Sequence, residues 1–286
     1  MEEDNFSLES ILNQTTEIDS LYLKRIRSEK LNRISQLKPE IFEYHGTTFD
    51  YFKDGNPDGP VILTLHDIGQ NSSVAFGEYF SGTITLPILK EFCIYHITLP
   101  GQLDPTRALT SYPSFDEMAK AIIEFINFLK SYYIIGFGIG AGANILIRAC
   151  LFDKKIFSRL ILINGYANSM GWGEWLSQKY HTYDISETGL TPNLISHLID
   201  HFFGQKEPRD LSFELYNGYL GDIKNSSNLK LLLDSAASRT AINLIKSEPS
   251  KQNSPKDDKN SISVNVLLII SEDVPQYEDC VSLIDL

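Results

Sequence analysis

The residues best placed for covalent chemistry surround a position filled by glycine. The run Ile134-Ile135-Gly136-Phe137-Gly138-Ile139-Gly140-Ala141-Gly142-Ala143 joins a short apolar stretch, Tyr132 to Ile135, to an apolar and small-residue run, Ala143 to Leu151. Strand, tight turn and helix form the setting of the G-x-S-x-G turn, which presents a nucleophilic serine. With Gly136 and Gly140 as the flanking glycines, Gly138 stands at the serine's place and is expected to take the strained turn conformation. Glycine carries no attacking atom, so acyl transfer cannot begin there. The remaining members of such a triad follow in the order acid, then histidine. Ser271-Glu272-Asp273, after the apolar run Val264 to Ile270, offers carboxylates, with Asp273 the candidate acid. The six histidines are His45, His66, His96, His181, His197 and His201, and none follows Asp273. No catalytic residue is therefore expected, only a vestigial pocket built from His66, Asp67, Gly138, Ile139 and Asp273. Asp67, in the loop after Val61 to Leu65, would oppose a developing oxyanion if it pointed into that pocket.

Other chemistries are weaker in the same residues. Gly136-x-Gly138-x-x-Ala141 matches a dinucleotide fingerprint, but the next apolar run ends Leu162-Ile163-Asn164, without the acid that would hold a ribose. His197 and His201 have the i, i+4 spacing of a metal pair yet lack the H-E-x-x-H glutamate. They read as surface or packing histidines, and neither a metal nor a cofactor is expected. Trp172 and Trp175 read as core.

The elements needed to position such a turn are present. Two short extended stretches, Ile41 to His45 and Thr48 to Lys53, precede the turn Asn56-Pro57-Asp58-Gly59. Apolar runs of buried-strand type then recur at Val61 to Leu65, Phe92 to Ile97, Tyr132 to Ile135, Leu160 to Ile163 and Val264 to Ile270. They alternate with helical patterns, best seen from Phe115 to Leu129. This predicts an α/β fold with a mostly parallel sheet flanked by helices. Helical patterns alone fill about 172–235, a cap insertion, and about 248–263 is a polar, flexible linker. The main domain would thus run 39–286, behind an N-terminal arm, 1–38, that is partly helical.

Charge and cysteine content narrow the function. The formal net charge of -12 argues against nucleic-acid partners. Three cysteines, Cys93, Cys150 and Cys280, suit a reducing compartment. The acidic start, without an apolar segment, suggests no export signal, so a cytoplasmic location is expected. The arm is locally basic, with Lys24, Arg25, Arg27, Lys30 and Arg33 on an amphipathic pattern, and is a candidate contact for a partner or for peripheral binding to anionic membrane.

Several segments together carry a family resemblance. They are Val61-Ile62-Leu63-Thr64-Leu65-His66-Asp67-Ile68-Gly69, Pro100-Gly101-Gln102, Gly136-x-Gly138-x-Gly140-Ala141-Gly142-Ala143, Leu162-Ile163-Asn164, Gly171-Trp172 and Ser196-His197-Leu198. From about Tyr44 to Arg239 the chain resembles the NDRG (N-myc downstream-regulated) family. The resemblance implies an α/β-hydrolase-like fold, no catalysis, and roles in stress response, differentiation, signalling and membrane trafficking. On that basis the chain is expected to be a non-enzymatic adaptor acting through protein partners. Two alternatives stand beside it: a small-molecule or lipid carrier using the vestigial pocket, and an active hydrolase or lyase using His66 and Asp67. The family continues beyond the last apolar run with another strand and helix. A chain stopping at Leu286 is expected to lack these, as a splice variant or incomplete gene product would, and to expose an apolar sheet edge.

Overall fold

The computed structural model describes residues 32–104, 107–171, 190–204, 211–223, 226–242, 262 and 264–283. Seven strands form one sheet: β1 (Glu40–Tyr44), β2 (Thr47–Gly55), β3 (Val61–Leu65), β4 (Cys93–Thr98), β5 (Ile134–Ile139), β6 (Arg159–Ile163) and β7 (Asn265–Ile269). Their order is β1-β2-β4-β3-β5-β6-β7. The pairings β1–β2 and β2–β4 are antiparallel, and the other four are parallel. Helices α1 (Asn32–Gln36), α2 (Ser72–Ser81), α3 (Leu86–Glu91), α4 (Phe115–Leu129) and α5 (Ala141–Phe152) fall before β6 in sequence. Among the described residues α6 (Pro192–Phe203), α7 (Leu211–Gly221) and α8 (Ser227–Ala237) fall between β6 and β7, and α9 (Tyr277–Ser282) follows β7.

The central strands are mostly apolar because both sheet faces are covered. Every residue of β3 is buried. Leu63 and Leu65 belong to the larger cluster, with Phe115, Ile122, Phe125 and Ile145 of α4 and α5. Ile62, just before Leu63, points to the smaller cluster with Ile34, Phe76, Phe80 and Phe137. Helix α4 forms as its pattern predicts. Ser114 and Glu117 close a reciprocal capping box at its start, and Lys130 ends it in the left-handed conformation.

Strand β5 differs from the sequence expectation in a way that moves the candidate site. It continues through Gly136 and Gly138 to Ile139 instead of ending at Ile135. Both glycines are held extended by neighbours on either side, with Gly136 opposite Leu63 and Leu160, and Gly138 opposite Leu65 and Leu162. Two ladders outweigh the local preference of glycine for a turn. Gly138 therefore does not carry the turn. Gly140 does, with φ 51 and ψ -111.

The flanks of the sheet are tied by specific contacts. Arg33 of α1 donates from Nε and Nη2 to the two oxygens of Asp54 at 2.8 and 2.7 Å. Burial works against the Asp54 charge, but these hydrogen bonds and the Gly55 N–H outweigh it and hold the carboxyl below its ordinary range. Arg33 is thus engaged within the fold, while Lys24, Arg25, Arg27 and Lys30 lie outside the described residues. So do Trp172, Trp175 and most of 248–263. At the far edge β7 pairs with β6 alone among the described residues, and Val266, Leu267 and Ile269 are exposed. Cys93, Cys150 and Cys280 are buried free thiols.

Two histidines serve the fold. His66 Nε2 accepts the Leu99 N–H at 3.0 Å, so Nδ1 carries the proton and donates to the Asp67 carbonyl at 2.7 Å. His96 Nδ1 sits 2.9 Å from Thr64 Oγ1. Burial pushes His66 down to about 4 and His96 down to about 3. The unfolded chain, with histidine near 6.5, binds these protons first. Their contribution to stability is complete above that pH and lost as pH falls toward 4 and 3. Each should give a slope of up to about 1.4 kcal/mol per pH unit in that window. Urea midpoints measured from pH 7 to 4 should fall accordingly, and His96→Gln should flatten the slope. A midpoint constant across that window would contradict the assignment.

Candidate functional site

The site lies where β5 passes into α5. Gly140 donates its N–H to the Ile163 carbonyl at 2.9 Å and takes the positive φ that glycine tolerates cheaply. Its neighbours two residues away allow the helix to pack close. A Cβ on Gly138 would lie 2.6 Å from the Ala143 backbone, and one on Gly142 would lie 2.2 Å from the Leu65 carbonyl. The turn therefore reads Gly138-x-Gly140-x-Gly142, two residues beyond the frame expected from sequence, and Gly140 stands at the nucleophile's position.

The space a nucleophile would use is filled from within. A Cβ on Gly140 would lie 2.0 Å from Asp67 Oδ2. The other carboxylate oxygen, Oδ1, accepts the Ala141 N–H at 2.7 Å and the Ile68 N–H at 2.8 Å. In a serine hydrolase of this layout, the N–H after the nucleophile and an N–H of the loop after β3 form the oxyanion hole. Ala141 and Ile68 are those donors, and the Asp67 carboxylate occupies the hole. Its charge also sits at the N-terminus of a twelve-residue helix, where the backbone dipoles favour an anion. The same carboxylate excludes the pyrophosphate that a dinucleotide would place at this helix end.

The remaining partner arrives from an unexpected direction. His201 of α6 places Nε2 2.8 Å from Asp67 Oδ2. Gln276 Nε2 donates to His201 Nδ1 at 2.8 Å, so the imidazole is protonated at Nε2 and donates to Asp67. Gln276 lies in the turn after β7, where a triad would keep its acid. Asp67, His201 and Gln276 thus stand in a line resembling nucleophile, histidine and acid, with a carboxylate in place of the first and an amide in place of the last.

Of the five residues expected in a pocket, only Asp67 is at the turn. His66 lies beneath it, bonded to backbone at both ring nitrogens. Gly138 is inside β5, Ile139 packs against the smaller apolar cluster, and Asp273 is exposed. Sequence reasoning missed Gly140, His201 and Gln276. The chain-order rule argued against any histidine before the acid, and nothing in a lone glutamine marks it as a site residue. Residue His201, expected to be a surface or packing residue, instead contacts the turn. Beside it opens a cavity of 440 Å³ between α6, the end of α8 and the turn after β7. Among the described residues no three His, Cys, Asp or Glu side chains group as metal ligands.

Three donors converge on Asp67, so Asp67→Ala should destabilise the fold by roughly 1–3 kcal/mol, because those donors lose their acceptor. Formate should raise the melting temperature of that variant and leave the parent unchanged, since it can enter only the emptied hole. An Asp67→Ala protein melting with the parent would contradict this geometry.

The comparisons with known proteins agree with the architecture. A thermophilic esterase from Thermogutta terrifontis, solved with malate bound, aligns with a TM-score of 0.63 at 12% identity, covering 86% of this chain and 85% of that one. A membrane phospholipase A, described as a bacterial virulence factor, aligns at 0.60 and 17% identity, covering 98% and 88%. At those identities the likeness establishes the fold alone: the chain has the α/β-hydrolase fold. Protein NDRG2 of Xenopus laevis is 31% identical over 259 residues, which are 88% of this chain and 67% of that protein. Protein NDRG2 of Bos taurus is 28% identical over 243 residues, 83% of this chain and 63% of that protein. The chain therefore spans about two thirds of the length of these relatives. The Ndr family profile matches residues 48–285, and with a turn that has lost its nucleophile and a hole filled by its own aspartate, the chain belongs to the Ndr family.

Proposed function

We propose that this is a non-catalytic α/β-hydrolase-fold protein that works as a cytoplasmic adaptor, through protein partners, in signalling, stress response, differentiation or membrane trafficking. The observation that carries the first half is the Asp67 carboxylate in the oxyanion hole. A substrate carbonyl would find neither a nucleophile at Gly140 nor unoccupied donors at Ala141 and Ile68. An active hydrolase or lyase based on His66 and Asp67 loses support from the same geometry, because both His66 nitrogens are taken by backbone groups. The adaptor roles rest on membership of the family and on what its resemblance implies.

A peripheral contact with anionic membrane is the second part of the reading, supported by the basic run of Lys24, Arg25, Arg27 and Lys30. Arg33 is left out of it, since Asp54 engages it. Among the described residues no helix is long and apolar enough to cross a membrane.

Ester hydrolysis by the parent chain should stay at background. Gly140→Ser alone should not restore it and should cost about 1–3 kcal/mol of stability, because a side chain there meets both a strained φ and the Asp67 carboxylate. Burst-phase acyl-enzyme formation by either protein would overturn the non-catalytic reading. For the adaptor half, affinity capture from cells should return the same partners with the parent and with Gly140→Ser, and return of none would remove it. Liposomes rich in anionic lipid should co-sediment the chain at low salt, by about 1 kcal/mol per basic residue, and release it at high salt. Charge reversal of Arg25, Arg27 and Lys30 should abolish that binding; unchanged sedimentation would exclude the arm.

A further inference from the structure

The cavity beside His201 has a charge arrangement that the turn at Gly140 does not explain. Arg239, just past α8, is only 7% exposed. Its Nε donates to the Asn168 carbonyl at 3.0 Å and its Nη1 to the Ala236 carbonyl at 2.9 Å. The guanidinium lies over the Tyr166 ring, 4.4 Å from its centroid. Those contacts fix its plane, yet among the described residues Nη2 makes no hydrogen bond and no carboxylate pairs with the charge. A buried guanidinium ordinarily has such a partner. Asp200 of α6 lines the same cavity, and its carboxylate likewise has no side-chain partner among the described residues. Glu278 lines the same space, while Asp279 is held by Asn168 Nδ2 at 2.7 Å.

The two signs lining one cavity select the ligand. A simple anion would meet Arg239 but also the Asp200 and Glu278 charges. A simple cation would meet the carboxylates but also a fixed guanidinium. A molecule with both charges satisfies both signs. The 440 Å³ volume falls in the range of small-molecule sites. Arg239 offers its planar edge for a carboxylate.

We propose that this cavity binds a small zwitterion of the α-amino-acid class, with its carboxylate on Arg239 and its ammonium group on Asp200. Binding there does not require catalysis and places the ligand against His201 and Gln276. The cavity would thus be a ligand site separate from the filled hole.

The test uses the full chain with free L-amino acids at up to millimolar concentration, beside butyrate and butylamine as single-charge controls. Melting temperature and titration calorimetry are the readouts. At least one amino acid should bind and raise the melting temperature. Asp200→Asn, at a partly exposed position, should weaken that binding at least about tenfold, as should Arg239→Lys. Butyrate and butylamine should bind at least about tenfold more weakly than the amino acid. The proposal is overturned if no amino acid binds, if butyrate or butylamine binds as well, or if a folded Asp200→Asn binds unchanged. Should Arg239→Lys fail to fold, Asp200→Asn and the single-charge controls still decide it.

Discussion

The Asp67 carboxylate is the contact on which the rest of the site depends. It takes two backbone N–H groups and one imidazole N–H, and it is buried at 4% exposure. A buried charge needs such partners, and the N-terminus of α5 adds a favourable dipole. The contact joins four parts of the chain: the loop after β3, the turn into α5, helix α6 through His201, and the turn after β7 through Gln276. It also dictates its neighbour, because any side chain at 140 would occupy the same space. Glycine at 140 and aspartate at 67 are one feature, not two.

That feature separates architecture from chemistry. The fold is shared with the solved esterase and phospholipase, and the turn and the two N–H donors stand where a serine hydrolase of this layout keeps its nucleophile and oxyanion hole. Fold does not imply function. Here the donors that would stabilise a tetrahedral intermediate are satisfied permanently by a side chain of the protein itself. The histidine that reaches the turn comes from α6, before β7, and so does not follow the chain order of a hydrolase triad.

The helices between β6 and β7 are held to the sheet by polar contacts rather than by apolar packing alone. Tyr216 of α7 donates to the Gly69 carbonyl at 3.0 Å. Asn228 of α8 donates to the carbonyls of Gly101 and Arg107 and accepts the Leu109 N–H, which satisfies the backbone of the loop after β4. Arg148 of α5 links Asn144, Asp116 and Thr240. Each bond satisfies backbone or charge that burial would otherwise leave unpaired. Together they anchor α7 and α8 to the loops and helix beside the sheet, and α7 packs against α6, which carries His201.

Much of this protein was legible in its sequence. The apolar runs of β3, β4 and β6, the helical periodicity of α4 and the absence of a serine in the glycine-rich turn are local properties, set by side-chain periodicity and turn chemistry. The registration of that turn was not local. Glycines at 136, 138, 140 and 142 repeat every second residue, so the sequence alone could not say which one leaves the strand; pairing with β3 and β6 on both sides decided it. The residues that fill the site were further out of reach. His201 lies 134 positions from Asp67, and Gln276 lies 75 from His201. No spacing rule connects them. What the sequence determined was the scaffold and the missing nucleophile, because these follow from residue type and near-neighbour geometry. Only the tertiary structure decided that an aspartate closes the empty site, because that depends on four distant segments meeting in space.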